Sequence, residues 1–206
     1  MEKFYALLKN YNKTNTSENL PDWTKIFSES TPPVYWNILS NILCNYSKEN
    51  SVFEIGAGTG DILALIRSLG FTNVTGVECD AHLAQIANKK IEYFFQKSNT
   101  VIHDRYPLAI PRPNILVQVN CVYFENIPTK QEYINQLKLF HQNAMPDFYF
   151  LEVVDSSCKE HFKAFPDFVR LSQEDIKAAF KDKSVESFTT YQFPRNTSTK
   201  RLYLIT

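Results

Sequence analysis

The run Ser51-Val-Phe-Glu-Ile-Gly-Ala-Gly-Thr-Gly-Asp61 decides how this chain folds. Val52, Phe53 and Ile55 make an apolar segment of strand length, and Gly56, Gly58 and Gly60 follow at every second position. Ile62, Leu63, Leu65 and Ile66 then recur at helical spacing, so the glycine loop joins a strand to a helix. Such a loop turns sharply and lets a ligand approach the backbone, while the helix start offers unpaired N–H groups and the positive end of its dipole. The third glycine comes one residue too early for the G-x-G-x-x-G of a dinucleotide site, because Asp61 holds that position.

Downstream of the loop, strand and helix patterns alternate, as in a mostly parallel sheet covered on both faces. Val74–Val77 predicts a second strand ending at Glu78. Asp80 caps a helix through Phe95, with Leu83, Ile86, Ala87, Ile91 and Phe94 facing inward. Val101-Ile102, Ile115–Val119 and Phe148–Val154 predict strands three to five, and a helix from Thr129 to Asn143 precedes the fifth. Ser172 and Asp175 cap a helix to about Phe180, and Val185–Gln192 and Arg201–Ile205 alternate as two strands around a turn at 194–198. The expected fold is α/β: a doubly wound, seven-stranded, mostly parallel sheet with an antiparallel last strand, in three α/β/α layers under an N-terminal helical cap. Within that cap, Phe4, Leu7, Leu8 and Tyr11 make one short amphipathic stretch, followed by a polar loop. A helix runs from about Pro32 to Cys44 with Thr31 as its N-cap. Residues 1–206 read as a single domain, with 1–45 the cap segment and 46–206 a Rossmann-like core.

The segment Glu54-Ile-Gly56-Ala-Gly58-Thr-Gly60 resembles the first motif, E/D-x-G-x-G-x-G, of the class I S-adenosylmethionine (SAM)-dependent methyltransferases. Glu78 stands where that family has the acidic residue for the ribose hydroxyls, and the terminal helix-strand-strand unit matches the family's ending, so the resemblance covers nearly the whole domain. It implies SAM as cofactor and S-adenosylhomocysteine (SAH) as product. Glu54, Gly56, Ala57, Gly58 and Gly60 would surround the methionine part of the cofactor, with Glu78 at the ribose, Asp104 at the adenine amino group, Tyr106 against the ring and Asn120 at the rim of the fourth strand. Trp23, Tyr35 and Trp36, with Phe27, would wall an acceptor pocket, and Tyr123 would join them; the same aromatic residues suit ordinary helix packing. Two departures stand out. Arg112-Pro113-Asn114 replaces an acidic residue common before the fourth strand, and Asn120-Cys-Val-Tyr123 replaces the N/D-P-P-Y/F motif of amino-directed nucleic-acid enzymes.

The implied activity is methyl transfer to an oxygen or nitrogen of a small molecule, mainly by proximity and in-line orientation, which supply up to roughly 7–11 kcal/mol in intramolecular models. Where a base is needed, the candidates are Asp155, Glu125, His161 and His141, none of them assigned. A non-catalytic SAM/SAH-binding scaffold subunit and an RNA methyltransferase are the alternatives.

The 22 basic and 22 acidic side chains cancel and are scattered, which argues against a nucleic-acid or anionic-membrane partner. The sequence holds no apolar run long enough to span a bilayer, and its start lacks a secretory core, so a cytoplasmic protein is expected. Cys44, Cys79, Cys121 and Cys158 form no C-x-x-C pair, and no histidine stands at zinc spacing, so no metal is expected and the thiols read as reduced, buried residues. The oligomeric state is left open.

Overall fold

The computed structural model describes residues 2–15, 33–122, 125–157, 165–192 and 199–206. The apolar runs become five parallel strands: β1 (Val52–Ile55), β2 (Val74–Glu78), β3 (Val101–His103), β4 (Ile115–Gln118) and β5 (Phe148–Asp155). Every residue of β1 and β4 is buried, because both faces of the sheet are covered. A short strand β6 (Arg170–Leu171) pairs in parallel with the end of β5. β8 (Thr199–Ile205) runs antiparallel to both β5 and β7 (Val185–Gln192). The sheet order is β3-β2-β1-β4-β5-β8-β7, with β6 beside β5, so the described residues form eight strands where the sequence pattern shows seven. Two residues are too few to leave a periodic signal.

Among the described residues six α-helices complete the layers: α1 (Glu2–Asn15), α2 (Val34–Leu43), α3 (Asp61–Ser68), α4 (Ala81–Phe95), α5 (Lys130–Ala144) and α6 (Gln173–Ala179). Capping fixes where they start. Asp80 accepts from the amides of His82 and Leu83, Thr129 accepts from Glu132, and Ser172 with Asp175 forms a complete capping box. One core joins α1 to α4 to the sheet through Leu8, Trp36, Leu39, Leu63, Ala87 and Ile91; the other packs α5 and α6 on the opposite face through Tyr133, Leu137, Phe140 and Ile176.

Three expectations are corrected. The helix of the cap begins after Pro33, which is its N-cap, while Thr31 lies outside the described residues. Residues 12–15 continue α1 instead of opening a loop, because Asn12 is buried against the next layer. Cys44 and Cys79 are exposed, and Cys158 lies outside the described residues.

Candidate functional site

The winding of the sheet reverses between β1 and β4, and there the carboxyl ends of the strands leave an open cleft. It is lined by Tyr35 and Trp36 of α2, Glu54 of β1, loop residues 56–59, Asp61 and Ile62 of α3, and Val119 and Asn120 beyond β4.

Gly56, Gly58 and Gly60 all have positive φ, at 71°, 52° and 78°. At Gly60 a second constraint applies, since an added Cβ would stand 2.9 Å from Cβ of Ala87 and 3.0 Å from its Cα. The loop therefore lies against α4 with no room for a side chain. Gly60→Ala is expected to destabilise the fold by about 2–4 kcal/mol, combining left-handed strain with overpacking, and chemical denaturation measures it.

Two carboxylates hold this loop. Glu78, at the end of β2, accepts from the Gly58 amide at 2.7 Å and from the Asp80 amide at 3.0 Å. Its side chain thus bridges the loop and the start of α4. Asp61 is the hub of a buried network: Oδ1 accepts from Asn12 and from Lys90, each at 2.9 Å, and Oδ2 accepts from the Thr59 hydroxyl. Asn12 is 6% exposed and Lys90 1%, so helices α1 and α4 are both tied to the loop through one aspartate.

Glu54 is different, because it lines the cleft at 2% exposure and its Oε2 has no hydrogen-bond partner among the described residues. Burial first, then the nearby Asp61 and Glu78, push its carboxyl well above the usual range, and the Leu63 backbone amide offsets only part of this. A buried carboxyl oxygen without a donor is costly in a folded protein, and a cation brought into the cleft would supply the missing partner.

At the other rim, Asn120 has φ 51° just beyond β4. Its amide donates to Glu152 Oε2 at 2.9 Å, and its Oδ1 accepts from Lys200 Nζ at 2.6 Å. The side chains of Glu152 and Thr190 complete this cluster with a 2.6 Å hydrogen bond from the threonine hydroxyl.

The structure thus gathers Glu54, Gly56, Ala57, Gly58, Tyr35, Trp36 and Asn120 around one cleft, with Gly60 and Glu78 supporting the loop. Asp104 follows β3 in an exposed position beside Glu78, whose carbonyl accepts from the Asp104 amide at 3.1 Å. Tyr106 is placed otherwise than the resemblance implies. It is buried in the core on the opposite sheet face, its ring 5.1 Å from that of Phe140 and its hydroxyl donating to the Phe140 carbonyl.

None of the described base candidates lines the cleft. Asp155 accepts from Ser157 and from Arg201, and these bonds outweigh burial to hold its carboxyl below the usual range. Glu125 pairs with Arg105 at 2.7 Å on an exposed surface. His141 packs between Tyr149 and Phe180 on the far face, where burial and then Lys183 depress its pKa. Trp23, Tyr123 and His161 lie outside the described residues. Sequence reasoning missed Asn12, Thr59, Lys90, Glu152 and Lys200. Only Lys90 left a signal: it occupies an inward position beside Ala87 and Ile91, which calls for a buried anion.

No family model matches the sequence, and no curated protein is similar to it in sequence. Solved structures are similar in fold. One is the magnesium protoporphyrin IX methyltransferase of Synechocystis PCC 6803 with bound SAM, at 12% identity and TM-score 0.62 over 98% of this chain and 96% of that one. Another is the methyltransferase domain of bacterial Hen1, at 11% identity and TM-score 0.60 over 84% and 96%. The methyltransferase domain of METTL16 matches at 14% identity and TM-score 0.60 over 98% and 95%. The chain has the Rossmann-like class I methyltransferase fold.

Proposed function

We propose that this chain, built on the methyltransferase fold, binds SAM in the cleft and transfers its methyl group to a small-molecule acceptor. The observation that carries this reading is the unpartnered carboxyl oxygen of Glu54, buried beside a glycine loop at the switch point of the sheet. An α-amino group is the cation such a carboxyl fits. Similar folds crystallised with SAM and with SAH add support.

On this reading Glu54 holds the ammonium, while the backbone of Gly56–Gly58 encloses the methionine chain. Glu78 accepts from the ribose hydroxyls while keeping its bonds to Gly58 and Asp80, since a carboxylate offers about four acceptor sites. The cofactor supplies a methyl group on a positively charged sulfur. The chain contributes orientation and the exclusion of water, with Tyr35 and Trp36 as the apolar wall of the cleft. Glu78→Ala is expected to weaken SAM binding about 10- to 100-fold, the worth of a charge-assisted hydrogen bond. Unchanged affinity in that variant would remove Glu78 from the ribose site.

Balanced, scattered charge favours a small acceptor over RNA. The test is release of SAH from SAM across a panel of small acceptors and across transfer and ribosomal RNA fragments. Turnover with small molecules is expected. Turnover with RNA alone would replace the small-molecule reading, and SAM binding with no turnover on either panel would favour a scaffold subunit.

A further inference from the structure

We infer that the Tyr35 hydroxyl donates to the α-carboxylate of the bound cofactor, so that the cleft reads both ends of an amino-acid head: Glu54 its ammonium and Tyr35 its carboxylate. This rests on the methyltransferase reading above and adds a cofactor-specifying residue from the cap segment to the same site.

An α-amino acid carries its ammonium and its carboxylate on one carbon. With Glu54 holding the first, the second lies in the same part of the cleft and needs hydrogen-bond donors there. The glycine loop supplies few. The amides of Gly56 and Ala57 both donate to the Val77 carbonyl, that of Gly58 to Glu78, and that of Gly60 to the Ala57 carbonyl. Beyond them the start of α3 carries the Asp61 carboxylate, which repels a second anion. Among the described residues that line the cleft there is no lysine or arginine. Thr59 spends its hydroxyl on Asp61, and Asn120 stands at the other rim, bound to Glu152 and Lys200.

Tyr35 meets the requirement. It lines the cleft at 5% exposure, and its hydroxyl donates to no described residue. The oxygen is not sealed off, in contrast to the buried hydroxyls of Tyr5 and Tyr203. Burial, and after it the charge of Glu152, push the Tyr35 hydroxyl well above its usual pKa; the Trp36 indole offsets part of this, and Asp61 and Glu54 add to it. The group therefore stays a protonated donor at neutral pH, within reach of the charges on β5, α3 and β1. It is also the second residue of α2, a ten-residue helix with Pro33 at its N-cap, so the positive end of the helix dipole lies beside it.

The surrounding acids do not exclude a carboxylate. Asp61 is paired with Lys90 at 2.9 Å, Glu152 has Lys200 at 3.8 Å, and Glu54 is met by the ammonium of the ligand itself. A zwitterionic head is thus balanced in this site. An amine without the carboxylate leaves the Tyr35 donor unmatched, and a carboxylate without the amine faces Glu54 alone.

The test compares SAM with decarboxylated SAM, which keeps the ammonium and the sulfonium and lacks only the carboxylate, by calorimetric titration of the full chain. The wild-type protein is expected to bind SAM at least about 10-fold more tightly, the worth of one hydrogen bond to a charged group. Tyr35→Phe keeps the ring and removes the hydroxyl, so it should lower SAM affinity about 10-fold and leave that for decarboxylated SAM within about twofold. Tyr5 packs edge-to-face on Trp36 at 5.6 Å without lining the cleft, and Tyr5→Phe should leave both affinities within about twofold. Full SAM affinity in Tyr35→Phe, an equal loss of both ligands, or the same selective loss in Tyr5→Phe would overturn the inference. So would a wild-type protein that binds the two ligands alike, a result that stands even where Tyr35→Phe fails to fold. Failure of the wild-type protein to bind either ligand would instead strike the methyltransferase reading itself.

Discussion

Glu54→Gln is expected to raise the melting temperature at neutral pH while weakening SAM binding about 100- to 1,000-fold, the usual cost of removing one partner of a desolvated charge pair. The two effects share one cause. Glu54 is buried, faces Asp61 and Glu78, and has an oxygen without a donor, so its folded pKa lies above its unfolded one. For an acid shifted in that direction, stability is fully present below the unfolded pKa and is lost as pH rises through the folded pKa. Glutamine keeps the shape and removes the ionisation. Relief of about 1–2 kcal/mol corresponds to a rise of about 2–8 °C for a chain of this size. The ammonium of SAM favours the charged carboxylate, so binding should release a proton and tighten as pH rises towards the folded pKa of Glu54. Thermal melts of both proteins, with calorimetry in buffers of different ionisation enthalpy, check each part. A variant that melts lower and still binds SAM normally would show that Glu54 is a structural residue.

Lys90→Met should have the largest effect on stability, a loss of about 3–5 kcal/mol and a fall of about 6–20 °C in melting temperature. Lys90 is buried, and its ammonium meets Asp61 Oδ1 at 2.9 Å. Burial lowers its pKa and Asp61 opposes that shift, which marks a charge kept in the core by one partner. Methionine fills the space but strands the Asp61 charge with only Asn12 and Thr59. The double variant Lys90→Met/Asp61→Asn should therefore recover much of the loss, and the thermodynamic cycle over the four proteins measures the coupling. A purely additive cycle would mean that the pair contributes nothing through its charges.

The fold was legible where burial is complete. β1, β4 and β5 are covered on both faces, so their residues are apolar almost without interruption, and the caps Asp80, Thr129 and Ser172 announce helices by local chemistry alone. Glycines at 56, 58 and 60 could be read because their left-handed backbone angles favour glycine. What escaped was long-range. Asn12 meets Asp61 across 49 residues and Lys200 meets Asn120 across 80, and no spacing rule links such pairs. Tyr106 illustrates the reverse error: its place after β3 suggested a ligand contact, while the packing of Phe53 and Phe140 drew its ring into the opposite core.

Calorimetric titration of the purified protein with SAM, with SAH and with NAD as a control tests the central claim most directly. Micromolar binding of SAM and SAH, with none of NAD, is the predicted result. Binding of neither adenosyl ligand, with the protein folded by its melting transition, would contradict the account and leave the glycine loop as an element of the fold alone.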